Sequence, residues 1–287
     1  VHDLRPRAHA QADRDAARAL AAALGLDFVE AAVSIRQGGA GNAEARARDL
    51  RYAALAKLAS EHGCRFVATG HHAEDQLETM LMAMLRGAGA RGMSGVAVRR
   101  RIDRGVVLIR PMLGDRLGRV HATTRAEAEA ICTSAGWTWR HDATNDDPTL
   151  LRNALRHQVL PLLENLRPGA AIRAARSAAV LRGAADVLHR RACAIWEDRD
   201  ANGQWTRDTL RREPSAVIGE LIHLAAGHLC GPETGPTRSD RLSRQALAPI
   251  LAAVADHCTD PRLFHVAALS ILITSKKVRI DRIVPGA

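Results

Sequence analysis

Two adjacent histidines and three carboxylates are concentrated within residues 71–78. If this stretch is helical, Asp75 and Glu78 lie about 60° apart around the helix axis, on the side opposite the apolar residues. Two carboxylates placed in this way can hold an ammonium group, and together with His71 they have the spacing of a metal site. A polar helix face that only contacts water is the third interpretation. Spacing alone leaves the three open.

The segments around this cluster predict a strand that leads directly into a helix. Residues 64–69 form a short apolar run with β-branched and aromatic side chains, typical of a buried strand that ends at Gly70. From residue 73 to residue 86 the apolar side chains recur with helical period. In parallel α/β sheets, ligands bind at the carboxyl ends of the strands, which is where this junction lies.

The order of the predicted elements indicates an α/β fold. Predicted helices alternate with predicted strands, the helices at residues 12–24, 42–62 and 73–86 and the strands at 27–33 and 64–69. This alternation favours a mostly parallel sheet with helices on both faces. Alanine, arginine and leucine dominate after Pro168, and only residues 278–281 alternate as a strand does. We therefore expect a catalytic domain over residues 1–165 and a mainly helical domain over residues 166–287.

The charge of the chain favours a polyanionic partner. The 287 residues carry a formal net charge of +10, which is typical of proteins that bind nucleic acid. We expect the phosphate contacts on a hairpin edge and in a basic helix, from Arg99, Arg100, Arg101, Arg173 and Arg176. For the three hairpin arginines, a strand edge that is merely solvated is the alternative.

The cysteine pattern and the hydropathy indicate a cytoplasmic protein. The five cysteines are far apart and form no C-x-x-C pair, as in proteins whose thiols stay reduced. The sequence also predicts no transmembrane helix and no signal peptide.

Several motifs follow one another in an order that resembles the tRNA(Ile)-lysidine synthases, a family of the PP-loop, or N-type ATP pyrophosphatase, superfamily. The central motif is ATGHHAEDQLETMLMAMLRGAGARGMSGV at residues 68–96. The others are residues 3–6, 45–52, 110–113, 139–146 and 152–161. This resemblance covers the chain up to about residue 168 and implies the adenine nucleotide alpha hydrolase-like fold.

The resemblance implies a carbon–nitrogen ligase that attaches free L-lysine to the anticodon cytidine of a tRNA(Ile) with a CAU anticodon. In that family ATP adenylates the oxygen on carbon 2 of the base, and the lysine amine then displaces AMP. The implied cofactors are ATP and Mg²⁺. The implied partners are the tRNA and lysine, with no membrane, and a homo-oligomer is left open.

The same resemblance assigns roles to individual residues. It implies that Asp75 and Glu78 bind the lysine ammonium and that His71 and His72 line the nucleotide pocket. Phosphate or base contacts are implied for residues near position 150, namely Arg152, Asn153 and Arg156. Without the resemblance, simple salt bridges are the alternative for these last residues. No metal ligand is predicted on the protein.

The superfamily's Ser-Gly-Gly-x-Asp-Ser loop is not found in the 287 residues. We expect it ahead of residue 3, and the glycine-rich residues 38–41 lack its serines and aspartate. Without the loop amides that cradle pyrophosphate, we expect an N-terminally truncated enzyme that binds ATP weakly. Two alternatives remain: a degenerate relative that only binds RNA, and a tRNA cytidine thiolase. The lack of paired cysteines disfavours the thiolase.

Overall fold

The computed structural model describes residues 7–33, 43–114, 121–140, 147, 149–230 and 242–283. Two of the motif segments, residues 3–6 and 141–146, lie outside the described residues. The chain divides into two compact units, the first made of Val1–Glu78 and Val96–Ala175 and the second of Thr79–Gly95 and Arg176–Ala287. The predicted domain boundary between residues 165 and 166 stays a prediction.

Both helices and strands make up the first half of the chain, in keeping with the predicted α/β fold class. In chain order they are α1 (Arg7–Ala23), α2 (Ala43–Glu61), β1 (Phe66–Ala68), α3 (Ala73–Leu85), α4 (Ala90–Met93), β2 (Arg99–Asp103), β3 (Val106–Ile109), a 3-10 turn (Pro111–Leu113) and α5 (Arg125–Ser134). Residues 27–32, predicted as a strand, are irregular, and only Val33 forms an isolated bridge.

Three strands of the first unit form a mixed sheet in the order β1-β3-β2. Strand β1 runs parallel to β3, with Val67 opposite Leu108, and β2 runs antiparallel to β3. Helix α2 packs against all three strands, and Leu108 is completely buried. Because β1 and β3 are parallel, the residues that follow them lie at the same edge of the sheet.

Strand β1 is not the buried strand that its apolar composition predicted. Phe66 is 52% exposed, since among the described residues β1 pairs only with β3 and forms an edge of the sheet. The prediction of its position was nevertheless accurate, because helix α3 begins at Ala73, directly after the junction.

The second half of the chain begins with a nearly continuous helical stretch. Its elements are α6 (Leu151–Ala154), a π-helical segment (Leu155–Val159), α7 (Leu160–Leu166), α8 (Ala170–Glu197), β4 (Gln204–Thr206), α9 (Arg207–Arg211), α10 (Ser215–Cys230), α11 (Arg244–Ala255), β5 (Arg262–Val266), β6 (Leu269–Ile273) and β7 (Lys277–Arg282). In the part of the chain that the structure describes, no helix is both long enough and apolar enough to cross a membrane.

A four-stranded antiparallel sheet accompanies the helices of the second unit, in the order β4-β7-β6-β5. The sequence analysis anticipated β7 but not the three other strands. In β6 the alternating Leu269, Ile271 and Ile273 are buried and pack with apolar residues of α10 and α11 into one core. A period-two pattern was present at residues 269–273, but the near-continuous apolar run concealed it.

Arg207 at the start of α9 is a buried cation inside this core, with a residue exposure of 1%. Its Nη2 donates to the carbonyl oxygens of Ala253 and Asp256, at 2.6 and 2.8 Å, and its Nη1 donates to the carbonyl of Cys258 at 2.5 Å. It also pairs with the Asp256 carboxylate at 2.6 Å. Arg207 therefore satisfies the orphan carbonyls at the carboxyl end of α11.

Replacing Arg207 by alanine is expected to destabilise the second unit by roughly 3 kcal/mol or more, because buried carbonyls would lose their donor. Trp196 and Trp205 lie in this core, so tryptophan fluorescence during urea unfolding of the full chain measures the change. The matched control is Arg279→Ala, which removes an exposed ion pair with Asp281 and should cost less than about 1 kcal/mol. Equal losses in the two variants would contradict a structural role for Arg207.

Candidate functional site

The edge of the sheet at the carboxyl ends of β1 and β3 brings His71 and Arg110 together. His71 follows β1 and Arg110 follows β3, and Arg110 Nε donates to His71 Nδ1 at 3.3 Å. The Thr69 hydroxyl lies 3.0 Å from the same nitrogen. Nδ1 is thus the acceptor, and the neutral imidazole carries its proton on Nε2.

The surroundings of His71 keep this imidazole neutral. Burial is the main influence that lowers the pKa of His71, the charge of Arg110 lowers it further, and Asp75 only partly opposes them, so that the pKa falls to about 4. At neutral pH His71 is therefore a hydrogen-bond donor through Nε2 and not a positive charge.

His72 has the opposite electrostatic environment, although it is the next residue. Its Nδ1 lies 2.8 Å from Glu74 Oε2, and its Nε2 lies 3.5 Å from Asp75 Oδ2. Burial lowers the pKa of His72, but the hydrogen bond to Glu74 and the charges of Asp75 and Glu74 outweigh it and raise the pKa above its usual value.

Glu74 also ties two helices together. Its Oε2 accepts a hydrogen bond from the backbone amide of Arg125 at 2.9 Å, the first residue of α5. That helix is capped as well by Thr124 and Glu127, which form a capping box. The Glu74 carboxylate thereby completes the amino terminus of a neighbouring helix.

The acidic side of α3 forms a closed network with two arginines, which we call the acid–arginine cluster: Asp75, Glu78, Arg152 and Arg156. Glu78 accepts from Arg152 Nε and from Arg156 Nε, each at 2.7 Å, and Asp75 accepts from Arg152 Nη2 at 2.7 Å. Glu78 is fully buried and Asp75 is 8% exposed. Two positive and two negative charges therefore neutralise one another, with both carboxylates buried and the arginines partly exposed.

Local helix geometry brings the two arginines to the same carboxylate. Arg152 lies in α6 and Arg156 lies four residues later in the π-helical segment, so both project from one side of the helix. Pro161 has no amide hydrogen for the carbonyl of His157 four residues earlier, which favours a widened turn directly before it. π-Helical turns of this kind are frequent at functional sites.

Burial of Asp75 tends to raise its pKa, but nearby donors and charges reverse that effect. The charge and backbone amide of His72, and then the charge of Arg152, bring the pKa of Asp75 below its usual range. The amide of His72 donates to Asp75 Oδ2 at 2.9 Å. Asp75 is therefore ionised wherever the cluster is intact.

The predicted site residues are brought together, but the partners of the acids differ from the expectation. Asp75 and Glu78 meet the predicted residues Arg152 and Arg156 themselves. Asn153 is buried, and its Nδ2 donates to the carbonyl of Asp147 at 2.9 Å. The lysine-binding role of the acids and the phosphate or base contacts of the other residues stay predictions.

Arg110 and Tyr52 had no predicted role, yet the structure places Arg110 beside His71 and Tyr52 beside Arg110. Both side chains are buried, and Arg110 Nη2 donates to the Tyr52 hydroxyl at 3.3 Å. Arg110 Nη1 donates to the carbonyl of Ala97 at 2.5 Å. Their membership of the motifs at 45–52 and 110–113 was the available signal, because an arginine directly after a buried strand rarely lacks a local role.

The arginines predicted to bind RNA are distributed over several elements. Arg99, Arg100 and Arg101 lie on β2 and are exposed. In α8, Arg173 Nη2 donates to the carbonyls of Arg167 and Pro168 at 2.7 and 2.8 Å, and Arg176 is exposed on the same helix. Their RNA contacts stay predictions.

Metal binding at the cluster finds no support in the arrangement of side chains. Among the residues that the structure describes, no three histidine, cysteine, aspartate or glutamate side chains converge as ligands. His71, Asp75 and Glu78, which had the spacing of a metal site, are held instead by arginines and by Thr69.

Comparison with known proteins decides the family. The sequence profile of the PP-loop domain matches residues 1–163. A tRNA(Ile)-lysidine synthase of Nostoc sp. is 30% identical over 275 residues, which cover 95% of this chain and 73% of that protein. This chain belongs to the tRNA(Ile)-lysidine synthase family. Residues 1–163 thus belong to a PP-loop domain, as the motifs predicted.

Other members of the family match mainly the first part of the chain. The tRNA(Ile)-lysidine synthase of Bordetella pertussis is 40% identical over 181 residues, covering 62% of this chain and 55% of that protein. That of Geobacter sulfurreducens is 38% identical over 193 residues, covering 63% and 38%. The chain spans about half the length of the Bordetella relatives that it matches.

The two neighbouring histidines are expected to titrate in opposite directions. By NMR the His71 imidazole should titrate near pH 4, and the His72 imidazole should titrate above its usual value. Replacing Arg110 by glutamine removes a positive neighbour and should raise the pKa of His71. His71→Gln and His72→Gln assign the resonances. A normal pKa for both histidines would contradict the described contacts.

These shifts also fix the sign of the pH dependence of stability. The pKa of His71 is near 6.5 in the unfolded chain and about 4 in the folded chain, so between these pH values only the unfolded chain binds the proton. The contribution of His71 to the free energy of unfolding is therefore lost as the pH falls through this range. The pKa of His72 is raised in the folded chain, so the folded chain holds this proton more tightly. The contribution of His72 to the free energy of unfolding is complete below pH 6.5 and is lost as the pH rises through its folded pKa. Urea unfolding of His71→Gln and His72→Gln across this range separates the two contributions.

Replacing Glu78 by glutamine should lower the free energy of unfolding by roughly 2–4 kcal/mol, because two guanidinium groups lose their common carboxylate. Urea unfolding followed by circular dichroism measures the loss. The control is Glu129→Gln, which removes an exposed pair with Arg125 and should change stability by less than about 1 kcal/mol. A Glu78 variant as stable as the control would show that the buried network does not hold the fold.

Proposed function

We propose that this protein takes part in the ATP-dependent ligation of lysine to the anticodon cytidine of tRNA(Ile), which forms lysidine through an adenylated base. The observation that carries the proposal is the convergence of three distant motifs in the first unit. Arg110 contacts His71, 39 residues away, and Arg152 contacts Asp75, 77 residues away. Motifs that meet in this way at the carboxyl edge of parallel strands are typical of a ligand site.

The proposed chemistry has two steps. The oxygen on carbon 2 of the cytidine attacks the α-phosphorus of ATP, and pyrophosphate leaves. The lysine amine then attacks carbon 2, AMP leaves with the oxygen, and the amine gives up a proton. Both steps need positive charge near phosphate and a fixed position for the lysine.

The described residues fit the phosphates of ATP better than they fit Mg²⁺. Arg110, and the neutral His71 with its Nε2 proton, supply donors at the edge of the sheet where an anion would be stabilised. No described set of carboxylates is arranged for Mg²⁺, so we assign no step to that ion. ATP, when bound, would supply the adenylyl group.

Lysine binding at Asp75 and Glu78 requires that an arginine give way. A third cation beside two carboxylates that already hold two guanidiniums is unfavourable. Arg152 is the more exposed of the two side chains, at 33% against 18% for Arg156. We therefore propose that the lysine ammonium replaces Arg152 at Asp75 while Arg156 keeps Glu78 paired.

The decisive assay is attachment of labelled lysine to a tRNA with a CAU anticodon, using a chain in which a Ser-Gly-Gly-x-Asp-Ser segment precedes residue 1. Asp75→Asn should weaken lysine use at least tenfold and leave tRNA binding nearly unchanged. Thermal melting of the variant controls for folding. If lysine use and tRNA binding fall equally in a folded variant, Asp75 does not bind the ammonium.

RNA binding without ligation is the second candidate. One observation favours it: the acids of α3 are neutralised by arginines. The polypeptide of residues 1–287 is expected to bind tRNA and to bind ATP weakly. If the chain with the added loop binds tRNA and ATP but attaches no lysine, this candidate replaces the first. Because tRNA is bound in either case, we propose that the protein acts in the cytoplasm.

A further inference from the structure

Tyr52 in α2 is surrounded by arginines from three elements. The guanidinium carbons of Arg48 and Arg51 lie 5.6 Å from the centre of its ring, and that of Arg100 in β2 lies 5.0 Å away. The Tyr52 hydroxyl accepts from the buried Arg110. We call Arg48, Arg51 and Arg100 the Tyr52 arginine cluster.

Strand geometry separates Arg100 from its two neighbours. In β2 the residues 99–101 pair in regular register with β3, with Arg100 opposite Leu108. The guanidinium of Arg100 lies over the ring of Tyr52, so Arg100 points towards α2. Arg99 and Arg101 point to the other face, because side chains alternate along a strand. The arginine triplet of the sequence is thus divided between two surfaces.

The Tyr52 arginine cluster is an uncompensated positive charge. Within the described part of the chain, no carboxylate pairs with Arg48, Arg51 or Arg100, although all three are exposed. The opposite arrangement holds at Glu78, where every charge has a partner. Exposed guanidinium groups that stack on a tyrosine and converge without an acid are arranged as in sites for phosphate groups.

The tyrosine responds to the same positive field. Burial, the largest influence, would raise the pKa of Tyr52, yet Arg48, the hydrogen bond from Arg110 and the charge of Arg51 together bring it below its usual value. Burial lowers the pKa of Arg110, and although Tyr52 opposes this, Arg48 and Arg100 lower it further. Both groups therefore experience an excess of positive charge that a bound anion would relieve.

We propose that the Tyr52 arginine cluster is a binding site for phosphate groups, and that the backbone of the tRNA supplies them. An extended polyanion suits three exposed guanidiniums carried by two different elements, and Tyr52 fixes their positions by stacking. A free pyrophosphate or nucleotide shares this chemistry and is the second source to be tested. Only the choice of tRNA rests on the proposed function, whereas the phosphate site does not.

The test compares matched arginines on the two faces of β2. Binding of a fluorescein-labelled tRNA(Ile) transcript to the 287-residue chain is measured by anisotropy from 50 to 300 mM KCl. Arg100→Gln and Arg48→Gln should each weaken binding about threefold to tenfold at low salt and reduce the salt slope by about 0.7 to 0.9. Arg99→Gln and Arg101→Gln remove the same charge from the other face and should stay within about twofold of the unchanged chain, a result that would withdraw the RNA contacts predicted for these two residues from the sequence.

A second arm identifies the source of the phosphate. Inorganic pyrophosphate is titrated by calorimetry into the same proteins. Loss of pyrophosphate binding in Arg100→Gln and Arg48→Gln, with tRNA binding unchanged, would keep the site and assign it to a small phosphate compound. Circular dichroism checks folding, and Arg100→Lys, which keeps the charge, should recover part of the affinity.

Two results would overturn the proposal. One is that Arg99→Gln or Arg101→Gln weakens tRNA binding as much as Arg100→Gln, which would indicate a diffuse basic surface. The other is that neither tRNA nor pyrophosphate responds to Arg100→Gln or Arg48→Gln in folded protein. Lysine attachment is not measured here, so failure of the proposed ligation and failure of this site are distinguishable.

Discussion

The buried carboxylate of Glu78 is the constraint on which the site depends. A fully buried negative charge is tolerated only when it is paired and hydrogen-bonded, and Arg152 and Arg156 meet that need from a helix more than 70 residues away in sequence. This requirement fixes where the helix of residues 151–166 must lie against α3. Asp75 shares Arg152 and is positioned as a result.

The first unit contains one group of charges that neutralise one another and a second group with an excess of positive charge. On one side of the sheet edge the acid–arginine cluster is neutral, and on the other side Arg110 and the arginines at Tyr52 leave an excess of positive charge. His71 contacts Arg110, and its imidazole stays uncharged mainly because it is buried and further because Arg110 is positively charged. An anion is attracted to one part of this edge, and a cation can enter the other part only by exchange with an arginine.

Local patterns predicted the elements that carry the site but not the partners of its charges. The start of α3 and the hairpin of β2 and β3 follow from period, β-branched residues and glycines, which act within a few residues. The pairing of Glu78 with Arg152 and Arg156 depends on tertiary contact, and spacing along the chain carries no information about it. For the same reason the sequence did not predict that Phe66 is exposed, which depends on the order of the strands. It also did not predict that Arg100 faces away from Arg99 and Arg101, which depends on the strand register.

The widened turn at Leu155–Val159 has a consequence for insertions and deletions. In a regular α-helix two residues five positions apart point about 140° away from each other, yet Leu155 and Leu160 are both buried. The additional residue of the π turn rotates the downstream helix so that both leucines reach the interior. Deleting one residue of the segment would place Leu155 and Leu160 four positions apart, about 40° around a regular α-helix, so a regular turn would replace the π turn with both leucines still facing the interior. The π turn therefore sets the direction of Leu160 separately from the direction of Arg152 within one continuous helix.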